Sequence, residues 1–232
     1  MSTSTPPPDE PGRPRDAGIK PLTDAERSAQ AHYQAHTDDP KLQSALSQFN
    51  ELLQQASAKE ASEPMAMTIA TSDLAGRPTA RTVLMKQFDA EGLTFFSSDR
   101  SVKAQQLAVN PRGCAVFHWR TLRQQVIVEG AVHNLAAQQS DAYWETRARV
   151  SQLAAWASVQ SQPLGQRSDL LTRVADYEDK FKNQAVPRPD YWHGFLLQPI
   201  RIEFWQAGQN RLNERENFVL TSTGWTSHLL NP

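Results

Sequence analysis

The pattern of apolar and polar positions predicts one helix followed by a series of short strands. Asp39 and Pro40 are typical of a helix start, and apolar residues at helical spacing follow them to Leu53. From Met67 the apolar period shortens to that of strands, with Asp- and Gly-containing turns between them. The predicted strands of this meander are 67–71, 79–86 and 93–97.

The rest of the chain adds helices to more strands of the same kind. Helices are predicted at 101–109, which Asn110-Pro111 ends, and at 136–146, 151–157 and 168–181. Further strands are predicted at 114–119, 124–133, 194–197, 200–205, 217–221 and 225–230. Many short antiparallel strands with a few helices indicate a mainly β, α+β fold, a barrel of six or more antiparallel strands decorated by helices.

The beginning of the chain has a different composition. Five prolines occur within residues 6–14, among Ser, Asp and Arg, and such a segment buries too little apolar surface to offset its ordering entropy. We therefore predict a mobile Pro-rich tail over 1–38 and one domain over 39–232.

Composition narrows the class of protein. Of 232 residues, 39% are hydrophobic and 21% charged, which is enough apolar material for a core. The 24 basic and 25 acidic residues give a net charge of −1, which argues against general binding to nucleic acid or an anionic membrane. The single cysteine, Cys114, excludes an intramolecular disulfide and a cysteine-cluster metal site. With no apolar run of about 20 residues and no apolar leader over 1–15, a cytoplasmic location is predicted.

Most well-known catalytic motifs are absent from the sequence. There is no dinucleotide-binding glycine pattern, no phosphate-binding loop, no zinc-protease pair and no nucleophile elbow. His32 and His36 are the one pair with metal-like spacing, and we attribute that spacing to chance, so no metal site is predicted.

The remaining candidates are cationic, hydroxyl and amide side chains on strands and at a helix start. Arg81 and Lys86 share a predicted strand, and their spacing places them on opposite faces of an ideal strand. Ser97, Ser101 and Lys103 cluster where a strand leads into a helix, an arrangement that suits a phosphate. The same residues are also consistent with solvated charges and an ordinary helix cap. Further candidates of these types are Ser98, Gln125, Gln160, Ser161, Arg201, Arg211 and Arg215.

Six stretches, in order and at consistent spacing, connect the sequence to a known family. The chain resembles the pyridoxamine 5′-phosphate oxidase family, the flavin enzymes of vitamin B6 salvage, over roughly residues 64–232. The stretches are Arg81-Thr82-Val83-Leu84-Met85-Lys86, Phe95-Phe96-Ser97, Gln125-Val126, 151–157 (SQLAAWA) with Gln160-Ser161, 202–206 (IEFWQ), and Arg211-Leu212.

The resemblance implies an FMN-binding split β-barrel and a homodimer with FMN at the subunit interface. The residues implied to bind FMN are Arg81, Thr82, Val83, Leu84, Met85, Lys86, Phe96, Ser97, Lys103, Gln125, Gln160, Ser161, Trp205 and Arg215. Those implied to bind the B6 substrate are Lys86, Tyr143, Arg147, Ser151, Arg211 and Asn213, with Arg211 as the catalytic candidate that holds and polarises the substrate near its reacting carbon.

The implied reaction is the oxidation at C4′ of pyridoxamine 5′-phosphate or pyridoxine 5′-phosphate to pyridoxal 5′-phosphate. Dioxygen is reduced to hydrogen peroxide, and the amine route releases ammonia. Two alternatives stay open: an FMN oxidase of the same fold acting on another small aromatic, as in phenazine biosynthesis, and a non-catalytic flavin- or pyridoxal-phosphate-binding protein.

Three positions depart from the family pattern. Val102 stands where the family has an arginine before the lysine, and Asn213 stands where it has a histidine. The chain ends Leu229-Leu230-Asn231-Pro232 where the family tends to have Arg-Leu-x-Pro. Asn can donate and accept hydrogen bonds but cannot titrate near neutral pH.

Overall fold

The computed structural model describes residues 23–59 and 63–232, and these form two compact units. The helical unit comprises residues 96–105 and 135–194. The sheet unit comprises residues 23–59, 63–95, 106–134 and 195–232. Residues 1–22, which hold most of the expected Pro-rich tail, lie outside the described part of the chain, so the boundaries 1–38 and 39–232 stay a prediction.

Six α-helices and nine strands occur in the described residues. The helices are α1 (Asp24–Gln34), α2 (Pro40–Lys59), α3 (Val102–Val109), α4 (Ala137–Thr146), α5 (Arg149–Ala157) and α6 (Arg167–Lys180). The strands are β1 (Ala66–Ser72), β2 (Pro78–Leu84), β3 (Gln87–Asp89), β4 (Gly92–Ser98), β5 (Arg112–Trp119), β6 (Gln124–Asn134), β7 (Trp192–Gln206), β8 (Glu214–Thr221) and β9 (Gly224–Leu229). The predicted α+β class is confirmed.

All nine strands belong to one sheet, in which the central strand is β7. The strand order is β2-β1-β5-β6-β7-β4-β3, with β8 also paired to β7 and β9 paired to β8. Strand β6 pairs along β7 from Phe195 to Gln206, whereas β8 pairs only with its second half, Arg201 to Gln206. Because β7 is long, it pairs with three strands: with β6 along one edge, and with β4 and β8 along the other.

The sequence predicted two strands, 194–197 and 200–205, where the structure has the single strand β7. The predicted gap contains Pro199, and proline cannot donate to a strand ladder. In the structure Pro199 lies opposite Gly130, next to a bulge between Glu129 and Gly130. A Cβ atom at Gly130 would lie 1.8 Å from the carbonyl oxygen of Gln198, so the close approach requires glycine and lets the strand continue past the proline.

Two further elements were not predicted from the sequence. Helix α1 lies within the expected tail and begins with a capping box, in which the Glu26 N–H donates to Thr23 Oγ1 and the Thr23 N–H to the Glu26 carboxylate. Its only buried residue is Tyr33, whose hydroxyl donates to the carbonyl of Ala90 at 2.9 Å, so the helix has almost no apolar stripe to reveal it. Strand β3, with three residues, is too short for an apolar period.

The helical unit has an aromatic core of its own. The buried residues are Trp144, Leu153, Phe181, Val186 and Trp192. The Trp144 indole N–H donates to the carbonyl of Val186 at 2.8 Å, which satisfies the one polar atom of the ring inside the core.

No helix in the described residues is both long and apolar enough to cross a membrane. The predicted cytoplasmic location is not tested by this finding.

The buried His133 on β6 predicts acid sensitivity of the fold. Burial lowers the pKa of His133 below its ordinary 6.5, although the nearby Gln198 amide and Glu26 carboxylate oppose this shift. The unfolded chain then binds a proton at His133 more readily than the folded chain. The folded state therefore keeps its full stability above pH 6.5 and loses stability as the pH falls below that value. Urea titrations between pH 7 and 5 should show a decreasing free energy of unfolding, and His133→Leu should flatten that decrease. His118→Gln, at an exposed histidine on β5, is the control; an equal effect from both variants would contradict the assignment.

Candidate functional site

The strand-to-helix corner of the helical unit brings together four of the predicted cofactor residues. Lys103 Nζ donates to Ser97 Oγ at 2.9 Å, and Ser97 Oγ in turn donates to Gln160 Oε1 at 3.3 Å. The lysine is only 5% exposed. A buried ammonium group in a setting of hydroxyls and an amide is suited to an anionic ligand group.

The fourth member, Ser161, lies at the N-terminus of α3. The Val102 N–H donates to Ser161 Oγ at 3.3 Å, so Val102 contributes its backbone here while its side chain remains exposed. Ser161 has φ +70°, a left-handed conformation that is uncommon for serine and typical of functional positions. Two residues before Val102, the guanidinium of Arg100 lies 3.8 Å from the centre of the Tyr191 ring and forms a cation–π contact with it.

The predicted substrate residues Tyr143 and Arg147 lie on an aromatic stack in the same unit. The ring of Phe96 stacks on Tyr143 at 4.0 Å and on Trp192 at 5.1 Å between centroids. The Arg147 guanidinium lies 4.7 Å from the centre of the Trp192 ring. The stack therefore holds the arginine by cation–π contact as well as by hydrogen bonds.

Arg147 is a half-buried cation with donor capacity to spare. Its Nη2 donates to the carbonyl of Ser151 at 3.0 Å, whereas its Nε is buried and has no hydrogen-bond partner in the described residues. Burial lowers the pKa of Arg147, with the nearby Tyr143 hydroxyl opposing the shift. A buried N–H without a partner is costly, and an anion bound at Arg147 would relieve that cost.

In the sheet unit, the strand register aligns three predicted cofactor residues that are far apart in sequence. Gln125 on β6 lies opposite Trp205 on β7, and Trp205 lies opposite Arg215 on β8. Directly opposed residues of antiparallel strands point to the same face of the sheet. An amide, an indole and a guanidinium thus form one row across three neighbouring strands.

The sequence did not predict the role of Glu203, which is buried next to this row. Its carboxylate accepts from Arg215 Nε at 2.7 Å and from Arg201, which also pairs with Glu129 at 2.7 Å. The hydrogen bond to Glu203 raises the pKa of Arg215. Arg215 further donates to the carbonyl of Asn231 at 3.0 Å. Arg215 is therefore a neutralised, tightly positioned cation.

Arg81 and Lys86 do not share one strand as predicted, because β2 ends at Leu84. The Lys86 N–H donates to the carbonyl of Thr94 at 2.8 Å, beyond the end of the strand. Arg81 is half-buried and donates to Thr71 Oγ1 at 2.8 Å and to the carbonyl of Ile69 at 3.2 Å. Of the residues between them, Thr82 is exposed, Val83 and Leu84 are half-buried, and the Met85 side chain lies in the core.

Arg211 and Asn213 lie in the tight connection between β7 and β8. Asn210 and Arg211 both have left-handed backbones, with φ of +52° and +66°. The Asn213 side chain accepts from the Gly208 N–H at 3.2 Å and so closes the loop. Within the described residues nothing bonds to the Arg211 side chain, which is exposed. A strained, exposed arginine of this kind is typical of a ligand-binding position.

Family models match most of the chain and decide its classification. The model described as "Pyridoxamine 5'-phosphate oxidase" matches residues 53–180, and the model described as "Pyridoxine 5'-phosphate oxidase C-terminal dimerisation region" matches residues 192–232. The chain belongs to the pyridoxamine 5′-phosphate oxidase family. The resemblance stated from the six stretches is thereby confirmed.

Curated relatives agree with this membership. A pyridoxine/pyridoxamine 5′-phosphate oxidase of Myxococcus xanthus is 43% identical over 187 residues, covering 81% of this chain and 91% of the relative. One of Alkalilimnicola ehrlichii is 45% identical over 193 residues, covering 82% of this chain and 98% of the relative. Each alignment includes the larger part of both proteins.

Solved structures support the fold. PhzG from Burkholderia lata 383, in complex with tetrahydrophenazine-1-carboxylic acid, aligns with a TM-score of 0.77 and 25% identity, covering 93% of this chain and all of that one. A pyridoxamine 5′-phosphate oxidase-related, FMN-binding protein from Nostoc punctiforme aligns with a TM-score of 0.64 at 16% identity, covering 80% and 96%. The predicted split-barrel fold is confirmed, and family membership implies a flavin cofactor.

The Glu203 network predicts a stability contribution that is separate from ligand binding. Replacing the buried carboxylate in Glu203→Gln removes the charge shared by Arg201 and Arg215 and should lower the free energy of unfolding by about 1–3 kcal/mol. Urea denaturation in the absence of flavin measures this change. Glu214→Gln, at an exposed position on β8, is the matched control; equal midpoints for the two variants would mean that the network does not stabilise the fold.

Proposed function

We propose that this protein is an FMN-dependent oxidase that converts pyridoxamine 5′-phosphate and pyridoxine 5′-phosphate to pyridoxal 5′-phosphate. The amine reaction consumes water and dioxygen and gives the aldehyde, ammonia and hydrogen peroxide. The alcohol reaction consumes dioxygen and gives the aldehyde and hydrogen peroxide. The relatives at 43–45% identity carry the name of this activity.

The Arg147 cluster is the observation that carries the proposal. A half-buried guanidinium with a buried, unpartnered Nε lies beside Tyr143 and bonds to the Ser151 carbonyl, and these are the three residues that the family resemblance assigns to the substrate phosphate. A phosphate monoester carries close to two negative charges at neutral pH. It would supply the acceptor that Arg147 lacks and compensate the charge that burial disfavours.

The residues present also fit FMN. Ser97, Lys103, Gln160 and Ser161 form one hydrogen-bonded corner with a buried cation, which suits the cofactor phosphate or the polar edge of its ring. Gln125 and Trp205, side by side on the sheet, offer an amide and an aromatic surface to a planar ring. When bound, FMN supplies the two-electron redox chemistry and the reaction with dioxygen.

The positions of Arg81 and Gln125 in the sheet support a site shared between two copies of the chain. By register, Arg81 lies opposite Ile69, on the face that carries the buried Ala115 and Val128. The row of Gln125, Trp205 and Arg215 points to the other face, and β1 and β5 separate it from β2. A second copy is therefore the simplest source of one of the two sets, and residues 192–232 match a dimerisation-region model.

In the proposed mechanism the side chains bind and orient the substrate. We assign the substrate phosphate to Arg147, Tyr143 and Ser151, and the rest of the substrate to Arg211, Lys86 and Asn213, as the family resemblance implies. Arg211 positions the substrate at its reacting carbon, and orientation of this kind accounts for a large part of the rate of a bimolecular reaction. The loop-closing bond of Asn213 limits that residue to hydrogen bonding at a position where the family has a titratable histidine.

A second candidate is oxidation of a small phenazine precursor. It is favoured by the likeness in fold to PhzG, whose structure holds tetrahydrophenazine-1-carboxylic acid. The B6 activity is preferred because the identity to the B6 oxidases is 43–45%, against 25% to PhzG.

The purified protein tests both candidates and the non-catalytic alternative. We expect a yellow protein whose flavin absorbance bleaches when pyridoxamine 5′-phosphate is added without oxygen, and which forms aldehyde and peroxide in air. Bleaching by the phenazine precursor but by no B6 vitamer would favour the second candidate. A yellow protein that neither compound bleaches would favour a binding protein.

Arg211→Ala tests the catalytic candidate. Flavin content should stay close to that of the unchanged protein, because the side chain is exposed and unbonded, while turnover falls about a hundredfold or more with the lost transition-state contact. Steady-state kinetics with pyridoxamine 5′-phosphate measures the change. Gln209→Ala, an exposed position in the same loop, serves as control, and undiminished turnover in Arg211→Ala would remove Arg211 from the mechanism.

A further inference from the structure

Arg81 is held in a different way from Arg201 and Arg215, two other cations of the sheet unit. Arg201 and Arg215 share the buried carboxylate of Glu203. Arg81 instead donates to three neutral oxygens: Oγ1 of Thr71, Oγ1 of Thr79 and the carbonyl of Ile69. Among the described residues no carboxylate lies within ion-pair distance of it, and burial lowers its pKa. Its positive charge is therefore fixed in place without being neutralised.

Gln106 accepts the hydroxyl hydrogens of the two threonines that bind Arg81. Its Oε1 accepts from Thr71 Oγ1 at 2.5 Å and from Thr79 Oγ1 at 2.8 Å. Each threonine hydroxyl has one hydrogen, so donating it to Gln106 leaves only lone pairs to face Arg81. Thr71 and Gln106 are 3% and 8% exposed, so water has little opportunity to replace either partner. Because the guanidinium can only donate, both threonines must accept from it, and Gln106 supplies the acceptor that their own hydrogens then need.

The geometry points to Gln106, Thr71 and Thr79 as a neutral clamp that positions Arg81 for the phosphate of the flavin cofactor. This inference rests on the proposed function and adds three residues that the sequence did not single out. Arg81 uses two N–H groups for the threonines of the clamp and a third for the carbonyl of Ile69. Two of its five, one on Nε and one on Nη2, remain to bind phosphate oxygens. The residues of the clamp are positioning residues, since they act through Arg81.

A clamp of this design has a specific electrostatic consequence. If a carboxylate held Arg81, it would cancel the charge that attracts the phosphate and would repel the phosphate directly. Neutral acceptors give the same orientation at no such cost. The preference for a phosphorylated over an unphosphorylated flavin should therefore depend on the hydroxyls of the clamp and on the absence of negative charge at Gln106.

The test compares the binding of FMN and riboflavin to the flavin-free protein by quenching of flavin fluorescence. Riboflavin lacks the phosphate, so the ratio of the two dissociation constants reports the phosphate contact alone. Thr71→Val removes the hydroxyl at nearly constant shape and should weaken FMN about tenfold while leaving riboflavin unchanged, the scale of one hydrogen bond to a charged group. Thr71→Ser keeps the hydroxyl and should restore the original ratio.

Gln106→Glu separates the electrostatic role from a structural one. The carboxylate retains acceptors for both threonines, so thermal unfolding of the flavin-free protein should change little, while FMN binding should weaken by about tenfold or more and riboflavin binding should not. An FMN-to-riboflavin ratio that is unchanged in both Thr71→Val and Gln106→Glu would overturn the clamp, as would equal weakening of both flavins.

The unchanged protein distinguishes failure of the clamp from failure of the proposed function. If it prefers FMN over riboflavin but the variants keep that preference, the clamp is wrong and the proposed function stands. If it binds neither flavin, the proposed function is wrong, and the clamp falls with it.

Discussion

The register between β6, β7 and β8 is the constraint on which the sheet unit depends. It aligns Gln125, Trp205 and Arg215 in one row, and two residues further along β7 it buries Glu203 between Arg201 and Arg215. A slip of one residue would turn every side chain of β7 to the opposite face and would put the Glu203 carboxylate into the apolar layer of Ile202 and Phe204. The bulge at Gly130 and the ion pairs across three strands make the observed register strongly preferred.

Cations are held in two ways within this fold, either by carboxylates or by neutral oxygens and an aromatic ring. Arg201 and Arg215 are paired with carboxylates, so their charge is used within the protein. Arg81 and Arg147 are oriented by hydroxyl and carbonyl oxygens and by an aromatic ring, and these neutral partners leave the positive charge uncompensated. Such cations are stable only to the extent that solvent or an anionic ligand compensates them. In the proposed function, these uncompensated cations let a chain of nearly zero net charge bind phosphate groups.

Much of the fold was predictable because apolar period and turn chemistry are local properties. The start of α2 and the boundaries of α3, β5 and β6 lie close to the predicted ones, since each has a clear apolar stripe or alternation. The continuity of β7 was not predictable, because Pro199 is accommodated beside a bulge in which Ile200 of β7 is left out of the pairing with β6. Motif resemblance supplied the candidate residues. It could not supply Glu203, Thr71 or Gln106, whose roles follow from cross-strand register and from side-chain bonds over 27 or more positions.

The contact between Asp39 and the last hairpin has a consequence for how the chain reaches this structure. Asp39 Oδ2 accepts from the Trp225 N–H at 2.9 Å, across 186 positions of sequence, and His32 bonds to the carbonyl of Thr221 at 2.8 Å. The first segments of the sheet unit therefore acquire part of their packing only after nearly the whole polypeptide has left the ribosome. Contacts so remote in sequence are slow to form, and β6 must wait with one edge unpaired until β7 arrives. Nascent chains of this protein are thus exposed to aggregation late in translation, and chaperone demand should concentrate in that interval.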